Sequence, residues 1–389
     1  TSFVRPHQPF DPPQTYFDLY RDKELRAPAQ GDWVDPTLTE KYGFIKDSIF
    51  GCNDSESRRL AMAGYYACIT HVDHQIGRIL TALAETGDYN NTIVLFLADH
   101  GELLFDNNFY RKALPYEGST HIPLLVHVGK NVQNITPFRS DTLTELRDIM
   151  PTILDFAGIP IPDSVDGFSL APEILGEEKN GAIRQKPKTT TFDLGEEKNE
   201  REFLHGEHSF HSSLSSQFIV TKTDKYIWYS EKNEEQYFNL EKDPREEHNA
   251  INDTKYQERI AYLRSVLIQE LKDREEGYSD GASLKTGCTP FTHLEMIMLL
   301  IKSIIATPNK QFDVAIISWN QHINSHYDYL FILPLYACMI FSNNIALVTN
   351  PSPFETGVIY ETFSITSFNS TSPHNFPFLS RFISTSITT

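Results

Sequence analysis

Positive charge is in short supply. The 389 residues carry 34 Lys and Arg against 52 Asp and Glu, a formal net charge of −18. Nucleic acids and anionic membranes are bound by basic surfaces that release counterions, so neither is expected as a partner. An anionic small molecule would also be repelled unless a local pocket of metal, Lys and His held it. Cysteine is scarce as well. Cys52, Cys68, Cys288 and Cys338 show no CxxC spacing, which argues against a zinc site or a redox dithiol. They leave open a Cys52–Cys68 disulfide or two buried free thiols, and the redox compartment stays open with them. No membrane-length apolar run stands out. Tyr329–Phe341 spans 13 residues, contains Pro334 and ends in Ser342-Asn343-Asn344, whereas a span needs about 20. Thr1 follows no initiator Met, charged region or apolar leader, so the sequence is silent on targeting. N-x-S/T triplets at Asn53, Asn90, Asn134 and Asn252 support secretion only weakly, and no localisation is assigned.

What is there divides near residue 280. Only nine of the 86 charged side chains fall in residues 281–389, which are rich in Ser, Thr, Asn, Ile and Phe without a clear period. The apolar fraction of the whole (40%) is that of a globular protein, and the length suits two domains of about 150 residues each. Three segments are expected. Residues 1–186 form a partial α/β domain and 187–280 an α+β subdomain. Residues 281–389 form a disordered or non-native tail with the character of a frameshifted or read-through extension.

Within residues 1–280 the periods are clear. Asp54 is placed to cap a helix from Ser55 to Thr86, with Ile69, Val72, Ile76, Ile79 and Leu83 at helical spacing and Gly87 at its stop. Thr92–Ala98 and Leu124–Val128 are short apolar runs that suit strands covered on both faces. Leu143–Ala157 reads as helical in its latter half, with Pro151 near a first turn and Gly158 just past the end. Alternating strands and helices predict an α/β fold with a mostly parallel sheet flanked by helices. Further on, residues 218–221, 225–229 and 236–240 predict a smaller antiparallel sheet, closed by a helix over Tyr256–Arg274.

The chemistry gathers at the end of the first strand. In open α/β sheets the ligand crevice lies beyond the strands' carboxyl ends, where Asp99 and His100 stand and Gly101 permits a sharp turn. Both side chains can ligate a divalent cation. Taken alone, Asp-His-Gly is more simply a strand-ending turn, and it is the wider window that favours a site. Asp99-His100-Gly101-Glu102, Tyr110-Arg111-Lys112 and Tyr116-Glu117-Gly118-Ser119-Thr120-His121-Ile122-Pro123-Leu124 keep their spacing over some 30 residues. Together they resemble the second metal-binding segment of the sulfatases, a family of the alkaline phosphatase superfamily. His121 departs from the Arg that many members carry.

The resemblance extends on both sides. Arg5-Pro6-His7-Gln8-Pro9-Phe10 with Pro12, Pro13 and Tyr16 is similar to the family's PHxPFxPPxxY segment. Asp148–Asp155 with Ala157-Gly158, and Asp166-Gly167-Phe168-Ser169-Leu170, resemble its DIxPTLLDxAG and DGxSL pieces. Gln236–Leu240 with Asp243-Pro244, Glu246 and Asn249 resembles LFDLxxDPxExxN. Coverage is residues 3–275. The resemblance implies an alkaline-phosphatase-like fold and hydrolysis of a sulfate ester, on a sulfated small molecule or glycan. It assigns Asp99 and His100 as ligands of a divalent metal, calcium first, with magnesium or manganese as alternatives. Lys112 would contact the sulfate oxygens, and His7 would give a hydrogen bond or proton to the leaving oxygen. His208 lines the substrate mouth or is a surface His, while Glu102 and Glu117 hold the loop by hydrogen bonds.

Two family elements have no match. Sulfatases use a formylglycine made from Cys or Ser in C/S-x-P-x-R, together with a metal-binding Asp pair near the N-terminus. The only partial imitation, Cys288-Thr289-Pro290-Phe291-Thr292, has Thr where Arg is required and is read as coincidence. Both elements precede the PHxPF segment in the family. The resemblance therefore implies a partial form lacking the nucleophile segment, in which Asp99 and His100 bind metal weakly. Two alternatives stand beside the sulfatase reading: a phosphodiesterase or phosphonate monoester hydrolase of the same superfamily, and a catalytically inactive remnant.

Overall fold

The structure is a computed structural model and describes residues 1–42, 49–51, 54–176, 201–208 and 214–288. The described residues form one compact unit. After two short helices, α1 (Gln14–Phe17) and α2 (Pro36–Tyr42), the chain enters the long helix α3 (Ser55–Glu85). Asp54 caps α3 by accepting from the Ser57 N–H, and Gly87 just beyond its end is left-handed (φ +82°). β1 (Ile93–Leu97) follows and leads through the one-turn α4 (Glu117–Thr120) to β2 (Leu124–Val128).

The two strands pair antiparallel, Ile93 opposite Val128 and Leu97 opposite Leu124. Within a sheet expected to be mostly parallel this pair is antiparallel, and the connection explains why. Residues 98–123 stay at the carboxyl end of β1, and four-residue α4 cannot carry the chain back along the strand as a parallel crossover requires. Nor are both faces covered among the described residues. Phe96 and Leu125, opposite each other in the ladder, are 40% and 58% exposed.

α5 (Ile149–Phe156) ends as its sequence predicts. The Gly158 N–H bonds the Asp155 carbonyl, the Ile159 N–H bonds that of Leu154, and Gly158 is left-handed (φ +67°). α6 (Ala171–Leu175) follows.

The smaller sheet has four antiparallel strands in chain order: β3 (Leu204–His208), β4 (Ser216–Val220), β5 (Asp224–Tyr229) and β6 (Glu234–Asn239). β3 is not among the expected strands, and His208 ends it rather than preceding the sheet. One face of the sheet packs Ile219, Tyr226, Trp228 and Tyr237 onto Ile260, Leu263, Val266 and Leu267 of α7 (Gln257–Glu270). The other face packs Ile227, Tyr229 and Phe238 onto Leu103, Phe109, Leu114 and Tyr116, in the loop that follows Asp99 and His100. The small sheet is thus the floor under the candidate site. Leu284 and Cys288 pack against the α7 side, and the expected tail beyond residue 288 lies outside the described residues. Cys68 is buried and free, while Cys52 lies outside the described residues. Among the described residues no helix is long and apolar enough to cross a membrane.

Candidate metal and anion site

Asp99 and His100 leave the carboxyl end of β1 toward solvent, the Asp99 side chain being 87% exposed. The His100 ring donates from Nδ1–H to the Gly101 carbonyl at 2.9 Å, which fixes the tautomer and leaves the Nε2 lone pair free. That Nε2 lies 3.8 Å from Asp99 Oδ2. Two ligands about 2.0–2.4 Å from one ion stand about that far apart, so the pair fits a divalent cation as two of its donors. Among the described residues no group of three or more His, Cys, Asp and Glu side chains completes a cage.

Behind this pair the backbone is packed tight. The Gly101 N–H bonds the Ser119 carbonyl at 2.8 Å, and a Cβ on Gly101 would lie 2.1 Å from the Gly118 carbonyl oxygen. Only glycine fits. The loop beyond is strained: Leu104, Phe105, Asn107, Asn108, Arg111 and Ala113 all have positive φ. Glu102 holds it. Its Oε1 accepts from the Arg111 N–H (2.5 Å) and the Leu104 N–H (3.2 Å), and its Oε2 accepts from Gln8 Nε2 (3.1 Å). Burial raises the Glu102 carboxyl above its ordinary range, against the pull of those donors and of Lys112.

The same clamp joins the N-terminal segment to the loop. His7 donates from Nδ1–H to the Gln8 carbonyl at 2.9 Å, and its Nε2 accepts from Lys112 Nζ at 2.7 Å. Its ring centre lies 6.3 Å from that of His100. Burial lowers the His7 pKa, and the charges of Lys112 and Arg111 add to that. Burial also lowers the Lys112 pKa, opposed by Glu102 and Asp99. The four residues singled out from sequence, His7, Asp99, His100 and Lys112, therefore lie around one point. His208 is half-buried on β3, where burial lowers its pKa. The Cys288 thiol donates to the Gly277 and Lys285 carbonyls, while 289–292 lie outside the described residues.

Two residues that the sequence pattern does not connect to the site support it from below. Lys225, on β5, is 0% exposed and donates to Glu117 Oε1 (2.7 Å), Glu246 Oε1 (2.9 Å) and the Pro115 carbonyl (2.7 Å). Glu246 Oε2 accepts the Glu117 N–H at 2.7 Å, and Glu117 Oε2 accepts from His121 Nδ1 at 2.8 Å. Glu117 thus holds the loop, as expected. The signal for Lys225 is a charge at the head of the apolar run Tyr226–Tyr229, which alternation alone leaves facing either side.

The family model described as Sulfatase matches residues 1–159, and that of the N-sulphoglucosamine sulphohydrolase C-terminal region matches residues 105–273. An arylsulfatase of Clostridium perfringens is 48% identical over 287 residues, covering 74% of this chain and 56% of its own. The chain belongs to the sulfatase family. Arylsulfatase K of Gallus gallus is 32% identical over 54% of this sulfatase chain and 37% of its own. The sulfatase chain thus spans about half or less of the length of these curated relatives. In structure it is similar to a phosphonate monoester hydrolase from Silicibacter pomeroyi (TM-score 0.55, 23% identity, 69% of this chain and 54% of that one). That likeness shows the alkaline-phosphatase-like fold. Sulfatases generally work with a divalent metal.

Proposed function

We propose that this chain carries one side of the active site of a sulfuric ester hydrolase acting on a sulfated small molecule or glycan. The supporting observation is the 2.7 Å bond between Lys112 Nζ and His7 Nε2 beside the Asp99–His100 pair. It brings a cation for the sulfate oxygens and an imidazole for the leaving oxygen to one place. Asp99 and His100 would hold the divalent metal, calcium first with magnesium or manganese as alternatives. A bound cation would draw negative charge from the sulfate. Lys112 binds the anion by charge, and once it turns to sulfate it frees His7 Nε2. The Nδ1–H bond to Gln8 keeps that nitrogen aimed inward, where, after taking up a proton from solvent, it donates to the departing oxygen.

The formylglycine motif is not among the 389 residues, and the test below supplies that segment from a relative. The name of the clostridial relative favours sulfate over phosphonate, since the likeness to the phosphonate hydrolase is one of fold alone. The test is a chimera carrying that relative's own N-terminal segment ahead of residue 1, assayed on p-nitrophenyl sulfate and on a phenyl phosphonate ester. Turnover of the sulfate with divalent metal, lost in Asp99→Ala and Lys112→Met, supports the proposal. Preference for the phosphonate, or turnover untouched by both substitutions, overturns it.

A further inference from the structure

Lys225 stands on the small sheet, yet the Pro115 carbonyl, Glu117, Glu246 and, at 3.4 Å, Thr120 Oγ1 that its ammonium meets all belong to segments that back the site. The Pro115 carbonyl and Glu117 belong to the chain just after Lys112, and Glu246 in turn holds the Glu117 N–H. The turn Glu117–Thr120 is therefore set by Lys225 from one side. On its other side the Ser119 carbonyl takes the Gly101 N–H, and Gly118 leaves no room for even a methyl group at Gly101. Gly101 carries the carbonyl that fixes His100 Nδ1–H. A continuous set of short contacts thus runs from a buried lysine to the imidazole that would face a metal.

We infer that Lys225 is a positioning residue for the Asp99–His100 pair, acting through the Glu117–Thr120 turn and Gly101. This rests on the reading that the pair holds a divalent cation. A compact ammonium on a long stem suits the pocket because four oxygens surround one nitrogen, a geometry that a planar fork does not match. Arginine keeps the charge but cannot place one nitrogen among all of these oxygens, so the turn shifts and Gly101 follows. Outer residues that orient a metal-binding His typically affect metal affinity by about 10–100-fold.

The experiment measures Mn²⁺ affinity by titration in the full chain and in Lys225→Arg, alongside hydrogen exchange at the Gly101 amide. Arg264→Met is the control. It breaks a more exposed ion pair, Arg264 to Glu235 at 2.7 Å, on the α7 side of the sheet. The expected result for Lys225→Arg is Mn²⁺ affinity reduced about ten-fold and faster Gly101 exchange, while Arg264→Met lowers the melting temperature with neither change. If Lys225→Arg fails to fold, the double variant Lys225→Met with Glu246→Gln, which leaves fewer unpaired charges, is read instead. Unchanged affinity and exchange in the folded variant, or equal changes in Arg264→Met, overturn the inference. If the unaltered chain binds no Mn²⁺, the metal reading fails. Gly101 exchange then decides: faster exchange upholds the positioning and unchanged exchange overturns it.

Discussion

Lys112 Nζ donates to His7 Nε2 across 2.7 Å, although 105 positions separate the two residues in the chain. The bond requires His7 to be neutral, because a protonated Nε2 has no lone pair to accept with. Burial and the neighbouring ammonium both push the His7 pKa below its ordinary 6.5. Lys112→Met should therefore raise it, and NMR titration of the His7 ring would show the midpoint moving up. A midpoint unchanged or lowered in that variant would count against the contact.

The sign for stability follows. A histidine whose pKa is lowered by folding binds fewer protons folded than unfolded. Its contribution is complete above about 6.5 and is lost as pH falls through the folded value. Denaturant melts between pH 7 and 5 should show stability falling with acid, and less steeply in His7→Gln. His121 and His248, whose pKa values their partners Glu117 and Asp32 raise, act in the opposite sense. The His7→Gln difference is the informative quantity.

A second acid-sensitive element is Glu117, whose carboxyl Lys225 and His121 hold down to about 2 despite its burial. A lowered carboxylate stabilises the fold above its ordinary value near 4.5 and loses that contribution as pH falls toward 2. Glu117→Gln should flatten this acid limb. At neutral pH it should cost about 3 kcal/mol by leaving the Lys225 ammonium with one carboxylate instead of two, read from urea melts. Identical acid limbs in the two proteins would mean the Lys225–Glu117 pair is not formed in solution.

How much of the fold and the site is legible in the sequence depends on range. α3 and α5 are readable because their signals are local: Asp54 caps one helix, and Gly87 and Gly158 stop the two. β3 is not, since Leu204-His205-Gly206-Glu207-His208 carries little apolar pattern. It is a strand because β4 pairs with it and because the Phe218 ring lies where a Cβ on Gly206 would be. The direction of β2 is likewise set by the path of its connection rather than by its residues. Asp99, His100 and Lys112 stand out through motif spacing, and His7 through its own segment. Lys225 does not, because a lysine in a strand ordinarily faces water. Only the packing of the small sheet on Leu103–Tyr116 encloses it.

Asp148 anchors the following segment to Arg201, three residues before β3. It is buried, and its carboxylate accepts both terminal nitrogens of Arg201 (2.8 and 2.9 Å), the Phe168 N–H (3.1 Å) and the Glu145 N–H (2.9 Å). The Arg201 guanidinium also lies 4.0 Å from the centre of the Phe168 ring. Arg201→Met strips a buried carboxylate of its cation and should cost about 3–5 kcal/mol in denaturant melts. Lysine supplies one point charge for a fork and should rescue only part of it.

The sharpest steric prediction concerns the two glycines that meet behind the metal pair. A Cβ on Gly101 would sit 2.1 Å from the Gly118 carbonyl oxygen, which is backbone and cannot rotate away. A Cβ on Gly118 would lie 3.2 Å from the Leu103 Cα, a contact relieved by a few tenths of an ångström. Both glycines have room for alanine in their own φ, so the difference between them is sterics alone. Gly101→Ala should therefore cost about 3 kcal/mol or more, whereas Gly118→Ala should cost about 1 kcal/mol, measured by urea melts. Gly101→Ala should also weaken divalent-cation binding, because the displaced segment carries the carbonyl that orients the His100 ring. Equal stability losses in the two variants would show that the close approach of residues 101 and 118 does not occur in solution.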